Sequence, residues 1–217
     1  AKDTWAGETQ LAATIEVEGD AWREYAAALH AVREDSLAKL AAQRAHELYA
    51  LAPGTEKNDA ILCLYEGRIL HELGESEQGL STVERGTNLL RDLFRDDKRY
   101  VQGRTMQAAI LMDRGNYQEA ARVLRSVVQL ARSLGDTETY AHITHFIGRC
   151  MAKLGQIDEA KKVLGEAVKL FHELGMSTEP PRVRGAIADM LVAAGRYNEA
   201  IAELYMARQE FLALNLP

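Results

Sequence analysis

Apolar side chains recur at helical spacing through most of the chain, and residues 137–154 show the pattern clearly. Ile143, Ile147 and Met151 follow one another four residues apart, which places them on one face of an α-helix. Gly155 comes next, and glycine is typical of the position that ends a helix. The pattern therefore predicts a helix of about 18 residues, roughly 27 Å long.

A second apolar pattern of the same kind covers residues 156–174 and stops before Gly175. Polar residues that favour helix N-termini stand at the start of the neighbouring helices: Asp136 precedes the first, and Ser177 or Thr178 precedes the one that follows. The chain is thus predicted to form consecutive helices joined by short turns.

The helix pair repeats every 40–41 residues. The phrases GNYQEA, GQIDEA and GRYNEA end at Ala120, Ala160 and Ala200, and equal steps back lead to Gly79 and Ala38. A column of small residues lies twelve positions before each of these anchors, and it holds Ala26, Gly67, Ala108, Gly148 and Ala188. A helix can approach another closely at such residues, so each anchor is predicted to mark a close helix crossing.

Other columns support the same repeat. Glycine stands five residues before the anchor in four units, whereas Arg33 takes that place in the first unit. The turn after the glycine is predicted to be filled by the side chain at the third position of the phrase, which is Tyr117, Ile157 or Tyr197. Agreement of five units at six columns indicates a true internal repeat.

The repeat defines the expected architecture. The units span about 18–54, 55–95, 96–135, 136–176 and 177–217, and residues 1–17 are expected to be an N-terminal extension or part of a preceding helix. A helix pair with apolar stripes on more than one face cannot bury them alone, so neighbouring pairs must stack. The predicted fold class is therefore all-α, with about five antiparallel helix pairs in a solenoid.

Composition narrows the function classes. A net charge of −6 argues against a general nucleic-acid surface, which needs a basic stripe. The apolar runs are too short to span a bilayer, so no membrane partner is expected. The two cysteines, Cys63 and Cys150, form no secreted disulfide framework, and a cytoplasmic location is the expectation.

The small, large apolar, glycine, aromatic and alanine columns resemble those of the tetratricopeptide repeat (TPR) family, over roughly residues 18–214. Trp22 stands where that family favours tryptophan. The period is longer than the family's usual 34 residues and is similar to that of kinesin light chains and of sensory domains in large bacterial transcription regulators. The phrases LARSLGD (130–136) and LFHELG (170–175) are similar to phrases of the regulators. The resemblance implies a right-handed superhelix.

Catalytic and metal-binding patterns are incomplete. Three segments begin with His-Glu-Leu, but Ala50, Glu75 and Met176 stand where a zinc protease motif needs its second histidine. His142 and His145 share a helix face, yet a metal site needs a third ligand. We therefore expect no enzyme activity, no metal and no cofactor, with the two histidines on a partner-binding face or a plain solvated one.

The resemblance also implies where a partner binds, because the first helix of each pair lines the concave face in this family. The candidate groove residues are Arg68, His71, Thr105, Met112, His142, His145, Arg149 and Arg182. The lining positions carry a slight excess of basic residues. This excess arises either by chance in a small sample or because the groove binds an acidic partner. A functional reading is a groove for an acidic peptide or a C-terminal carboxylate, with arginine as bidentate partner.

Three functions remain open at this stage. The first is a non-catalytic protein-interaction scaffold that forms a segment of a larger bacterial regulatory or adaptor protein. The second is a sensor that binds a small ligand or signalling peptide inside the superhelix. The third, an enzyme subunit, is disfavoured because no nucleophile–base pair is identifiable.

The last helix, expected at 198–214, keeps the apolar residues of an interior repeat at Leu204, Phe211 and Leu214. A terminal helix normally has a polar outer face. We therefore expect an uncovered apolar strip, either because the segment is cut from a longer array or because this end docks on a partner. We also expect weak self-association through this helix.

Overall fold

The structure is a computed structural model that describes the backbone of residues 2–214 and the side chains of residues 10–214. These residues form ten α-helices and no β-strand. The helices are α1 (Lys2–Ala31), α2 (Asp35–Leu51), α3 (Glu56–Glu72), α4 (Ser76–Asp92), α5 (Asp97–Asp113), α6 (Tyr117–Ser133), α7 (Thr137–Lys153), α8 (Ile157–Glu173), α9 (Glu179–Ala193) and α10 (Tyr197–Ala213). The all-α prediction is confirmed; the helix pairs from α3 to α10 fall inside the last four repeat units, whereas α1 begins before the first unit.

Sequential helices pack antiparallel on each other. A methyl group placed on Gly79 of α4 would meet the backbone of Gly67 of α3, and one on Gly86 would lie 2.5 Å from the carbonyl oxygen of Ala60. Later residues of α4 therefore contact earlier residues of α3, as antiparallel packing requires. The glycines allow these two backbones to approach more closely than alanine would permit.

Glycine ends most helices by adopting a left-handed conformation. Gly155, for example, has φ of 77°, a conformation that L-residues with a side chain rarely adopt. In the first unit the same conformation is forced on Arg33, whose φ is 66°. The repeat geometry thus persists where the glycine is missing.

The predicted helix caps are realised in part. The carboxylate of Asp136 accepts a hydrogen bond from the backbone N–H of Thr139 at 3.1 Å, so this residue caps α7 as expected. Thr178 occupies the cap position of α9 but makes no side-chain cap bond, and the hydroxyl of Ser177 instead lies 3.4 Å from the carbonyl of Gly175.

The chain divides into two compact units by its backbone contacts: unit 1 covers residues 1–110 and unit 2 covers residues 111–217. In unit 1, α1 runs without a break from Lys2 to Ala31, so the segment 1–17 is not separated from the first repeat by a turn. The buried residues of unit 1 form one cluster among α1, α2 and α3 and another among α3, α4 and α5. A single large cluster joins α7 to α10 in unit 2.

The repeat columns occupy the core. The anchor residues, from Ala38 to Ala200, are buried, and so are all five members of the small column. Ile157 packs against the core of unit 2, as expected for a side chain that fills the turn. Tyr197 does not fill its turn, because it is exposed on α10. Among the described residues, no helix combines the length and the apolar character needed to cross a membrane.

Candidate binding surface

The first helices of unit 2 form its closely packed side. Some Cα atoms of α7 lie within 8 Å of Cα atoms of α9, whereas no Cα atoms of α8 and α10 come that close in the described residues. Long charged side chains bridge the wider side: Lys161 reaches Glu199 at 2.7 Å, and Arg196 reaches Asp158 at 2.6 Å. Exposed side chains of α7 and α9 can therefore belong to one common surface.

An aromatic cluster occupies the first half of α7. The rings of His142 and His145 both form T-shaped contacts with the ring of Phe171, with centroids 5.0 and 6.3 Å away. His145 also stacks on Phe146 at 5.7 Å. Phe171 belongs to α8 and is fully buried, so the two histidines cover the hydrophobic core instead of pointing freely into solvent.

His145 does not contribute positive charge at neutral pH. Burial lowers its pKa to about 4, and the nearby charges of Arg149 and His142 act in the same direction. The imidazole is therefore neutral, available as a hydrogen-bonding group and as an apolar ring. The packing of both histidines on Phe171 was not visible in the sequence.

Arginine and lysine supply the charge on this side of unit 2. Arg149 is exposed, and its guanidinium lies 6.0 Å from the ring centre of Phe146, within reach of a cation–π contact. Lys153 follows one turn later and is exposed too. Arg182, in the first turn of α9, has only a long contact of 3.4 Å to Glu179. Asp189 is the exposed acid on the same helix.

The remaining candidates lie on α3 and α5. Arg68 is exposed, and a ring nitrogen of His71 lies 2.9 Å from the hydroxyl of Ser76. Thr105 is half-buried and donates its hydroxyl hydrogen to the carbonyl of Val101 at 2.8 Å. Met112 is only 5% exposed, so it cannot line a groove as proposed from the repeat columns. Met112 is instead part of the buried core.

The eight candidates are divided between the two units. Arg68, His71 and Thr105 belong to unit 1, and Met112, His142, His145, Arg149 and Arg182 belong to unit 2. The structure joins His142, His145 and Arg149 through the two phenylalanines of the α7 cluster. Arg182 lies on the neighbouring helix α9, which contacts α7.

Two polar networks in unit 1 were missed by sequence reasoning. Both ring nitrogens of His46 on α2 are engaged by carboxylates of α3: Asp59 binds one, and Glu66 binds the other at 3.0 Å. Asp20 of α1 accepts hydrogen bonds from Tyr49 at 2.6 Å and from Asn58 at 3.1 Å. These partners are separated by 13 to 38 residues, and no repeat column marks them.

Two open clefts of unit 2 lie elsewhere, along the second helices. One of about 770 Å³ is bordered by the first turns of α6 and by Leu154, and another of about 910 Å³ follows α8 between Asp158 and Lys169. Neither includes a candidate residue. In the part of the chain that the structure describes, no group of three or more histidine, cysteine or acidic side chains is arranged to hold a metal.

Comparison with known protein families identifies the repeat. The model of the tetratricopeptide repeat family matches residues 102–173, which cover most of the third unit and most of the fourth. No curated protein matches the chain in sequence.

Solved structures with the same fold extend the likeness to nearly the whole chain. The nearly identical TPR-like repeats of a Podosopora anserina kinesin light chain superpose with a TM-score of 0.75 at 17% identity, over 90% of this chain and 95% of that one. BtubC (BKLC) from P. vanneervenii gives 0.77 at 11% identity, over 96% and 92%. The Rap conjugation gene regulator of plasmid pLS20, in complex with the Phr* peptide, gives 0.70 at 14% identity, over 99% of this chain and 57% of the regulator.

At these identities the likeness is one of fold. The fold is that of a TPR-like solenoid, as the repeat predicted. Residues 102–173 thus match the tetratricopeptide repeat family, and the chain has a TPR-like fold similar to that of kinesin light chain repeats.

Proposed function

We propose that this chain is a non-catalytic interaction scaffold that binds an acidic peptide, or a peptide's C-terminal carboxylate, on the first helices of unit 2. The observation that carries the proposal is the set of exposed, weakly engaged cations on the contacting helices α7 and α9: Arg149, Lys153 and Arg182. An arginine that is not consumed by an intramolecular carboxylate is free to bind one from a partner, in bidentate geometry.

The α7 cluster supports this assignment. The guanidinium of Arg149 lies 6.0 Å from the ring centre of Phe146, and the neutral imidazole of His145 stacks on the ring of Phe146 at 5.7 Å. A partner peptide would therefore meet a fixed cation beside an aromatic surface, a combination that binds an acidic residue next to an apolar one.

The fold is compatible with a peptide partner. The pLS20 regulator, which shares the fold, is in complex with the Phr* peptide in its structure. We extend only the class of ligand to this chain. A place in a bacterial regulatory or adaptor protein, and a cytoplasmic location, are part of the same proposal.

The experiment is a binding titration by fluorescence anisotropy with labelled acidic peptides, each made with a free and an amidated C-terminus. Replacing Arg149 by alanine is expected to weaken binding by about 5- to 50-fold, the range for loss of a charge-assisted hydrogen bond. Added salt should weaken binding by the wild type and should have less effect on the Arg149→Ala variant.

The matched control is Lys162→Ala, which removes an exposed cation from α8 on the other side of unit 2. It lowers the net charge by the same amount and should leave affinity unchanged. Equal losses for Lys162→Ala and Arg149→Ala would mean that only net charge matters, and the proposed surface would be wrong. Absence of binding to every acidic peptide would contradict the ligand class.

A further inference from the structure

A phrase of the form aromatic–x–Gly–Arg occurs twice in the chain, as Tyr65-Glu66-Gly67-Arg68 on α3 and as Phe146-Ile147-Gly148-Arg149 on α7. The two phrases are two repeat lengths apart and occupy the same columns of the second and fourth repeat units. The other three units have neither the aromatic residue nor the arginine there, and they hold Glu24 and Ala27, Met106 and Ala109, and Ala186 and Asp189. The phrase on α7 belongs to the surface proposed above to bind a partner.

The glycine places the two phrases in the same way on their second helices. A Cβ atom on Gly67 would lie 2.3 Å from the side chain of Val83 of α4, and one on Gly148 would lie 2.7 Å from that of Leu164 of α8. Val83 and Leu164 themselves share a column of the repeat. With about 100° of rotation per residue, the aromatic side chain and the arginine lie about 60° apart and at least about 100° from the glycine. Both therefore share the helix face that is turned away from the crossing.

The arginine on α3 is available for an external ligand. Tyr65 is 37% exposed, and Arg68 is exposed as well. Within the described part of the chain, Arg68 has no ion pair, side-chain hydrogen bond or cation–π contact. The neighbouring acids of α3 are engaged elsewhere, since Glu66 lies 3.0 Å from a histidine nitrogen of α2 and Glu72 lies 3.1 Å from the guanidinium of Arg33. No carboxylate of unit 1 therefore occupies the guanidinium of Arg68 in the described residues.

We infer that Tyr65 and Arg68 form a second binding site for a peptide carboxylate beside an apolar side chain, so that each chain carries two such sites. We call them the α3 site and the α7 site, the latter with Phe146 and Arg149. The inference rests on the proposed function, because the chemistry of the α3 site is taken from that of the α7 site. In each, the guanidinium offers a carboxylate two parallel hydrogen bonds, and the ring offers an apolar surface. The hydroxyl of Tyr65 adds a hydrogen-bonding group that Phe146 lacks.

The two sites differ in the charge of one neighbouring residue. Four positions after the arginine, α3 carries Glu72 and α7 carries Lys153. Arg33 offsets the charge of Glu72 only in part, because its side chain is 70% exposed and the ion pair is screened by solvent. An acidic ligand thus meets an acid beside the α3 site and a cation beside the α7 site. We expect the α3 site to bind such a ligand roughly two- to tenfold more weakly.

The experiment is an NMR titration of the 217-residue chain labelled with ¹⁵N in its arginines, in which each Nε–Hε signal reports on one side chain. The probe is the peptide acetyl-Leu-Asp-Glu-Leu with a free C-terminus. The signals of Arg68 and Arg149 should both shift and saturate, that of Arg68 at the higher peptide concentration. Arg125 is the matched control, because it is exposed on the second helix α6, has no ion pair in the described residues, and has Arg122 in place of an aromatic residue three positions earlier. Its signal should not saturate.

Three variants test whether the sites are separate. Arg68→Ala should leave the binding curve of Arg149 unchanged, and Arg149→Ala should leave that of Arg68 unchanged. Glu72→Gln should tighten binding at Arg68 roughly two- to fivefold, a gain that a folding defect cannot produce.

The outcomes distinguish this inference from the proposed function. If Arg149 responds and Arg68 does not, the proposed function stands and the α3 site is refuted. If neither responds, both are refuted. A response of Arg68 alone contradicts the α7 site and with it the equivalence of the two phrases. If Arg125 saturates together with the other two, binding follows general charge, and the α3 site is refuted as well.

Discussion

Arg33 stores local backbone strain at the end of α1. Its φ of 66° lies in the left-handed region, which costs a residue with a Cβ atom roughly 1–2 kcal/mol. Glycine occupies this column in the next four repeats and has no such cost. The side chain of Arg33 is largely exposed and pairs only with Glu72 at 3.1 Å, so it returns little stabilisation.

We therefore predict that Arg33→Gly raises the free energy of unfolding by about 0.5–1 kcal/mol, after the larger chain entropy of unfolded glycine is subtracted. Urea unfolding followed by circular dichroism measures the change. Arg33→Ala is the control, because alanine keeps the Cβ atom and removes only the ion pair. A gain from Arg33→Ala as large as that from Arg33→Gly would show that strain is not the cause.

At the scale of the helix pair, the crossing of α7 and α8 depends on Gly148. A Cβ atom at this position would lie 2.7 Å from two side-chain carbons of Leu164 and 3.3 Å from its backbone nitrogen. Leu164 is in the core and cannot move aside without disturbing Phe171 and its neighbours.

Gly148→Leu is therefore expected to destabilise the protein by about 1–3 kcal/mol or more through overpacking. The matched control is Gly165→Leu in α8, where an added Cβ atom would meet no atom within 4 Å. That substitution should stabilise the helix by up to about 1 kcal/mol, since leucine has the better helix propensity. Thermal melting of the two variants gives the comparison, and a wild-type melt for Gly148→Leu would mean that the crossing tolerates the side chain.

Helices and crossings could be predicted from sequence because each repeats with a fixed period. Gly155 ends its helix through its backbone conformation, and Ala160 allows a close crossing through its small size. Both properties belong to the residue itself and can be read from the sequence. The surface was harder to predict because exposure depends on which helix covers a given position. Met112 and His145 lie in the expected columns, yet one is buried and the other packs on Phe171. The partners of His46 come from another repeat unit and have no periodic signal at all.

For the whole molecule, two histidines are expected to shape the dependence of stability on pH in opposite directions. Burial disfavours the charged form of His46, but hydrogen bonds to Asp59 and Glu66 outweigh it and raise the pKa to about 9. The folded state then binds the proton more tightly than the unfolded state, whose pKa is about 6.5. The stabilisation is fully present below about pH 6.5 and is lost as the pH rises through about 9.

His145 has the opposite sign, since its folded-state pKa of about 4 lies below the unfolded value. Its contribution is present above about pH 6.5 and is lost as the pH falls towards 4. The unfolding free energy, measured by urea titration across this range, should therefore decrease as the pH moves away from neutrality in either direction. We expect His46→Gln to flatten the alkaline side by about 1–2 kcal/mol, a value reduced to allow for solvent screening.

His145→Gln should flatten only the acid side, so the two variants serve as controls for each other. An alkaline profile of His46→Gln that parallels the wild type would show that the Asp59–His46–Glu66 arrangement does not hold in solution.

The spacing of the second helices in unit 2 gives the repeat an uneven mechanical stiffness. Between α7 and α9 some Cα atoms lie within 8 Å of each other, so these two helices approach closely. In the described residues, Cα atoms of α8 and α10 do not come that close, and the gap is crossed by long side chains, such as Lys161 with Glu199 and His172 with Glu210, while α9 packs on both helices. Under tension we therefore expect α8 and α10 to separate before α7 and α9 do. Raising the salt concentration should weaken the ion pairs between α8 and α10 and leave the α7–α9 approach unchanged.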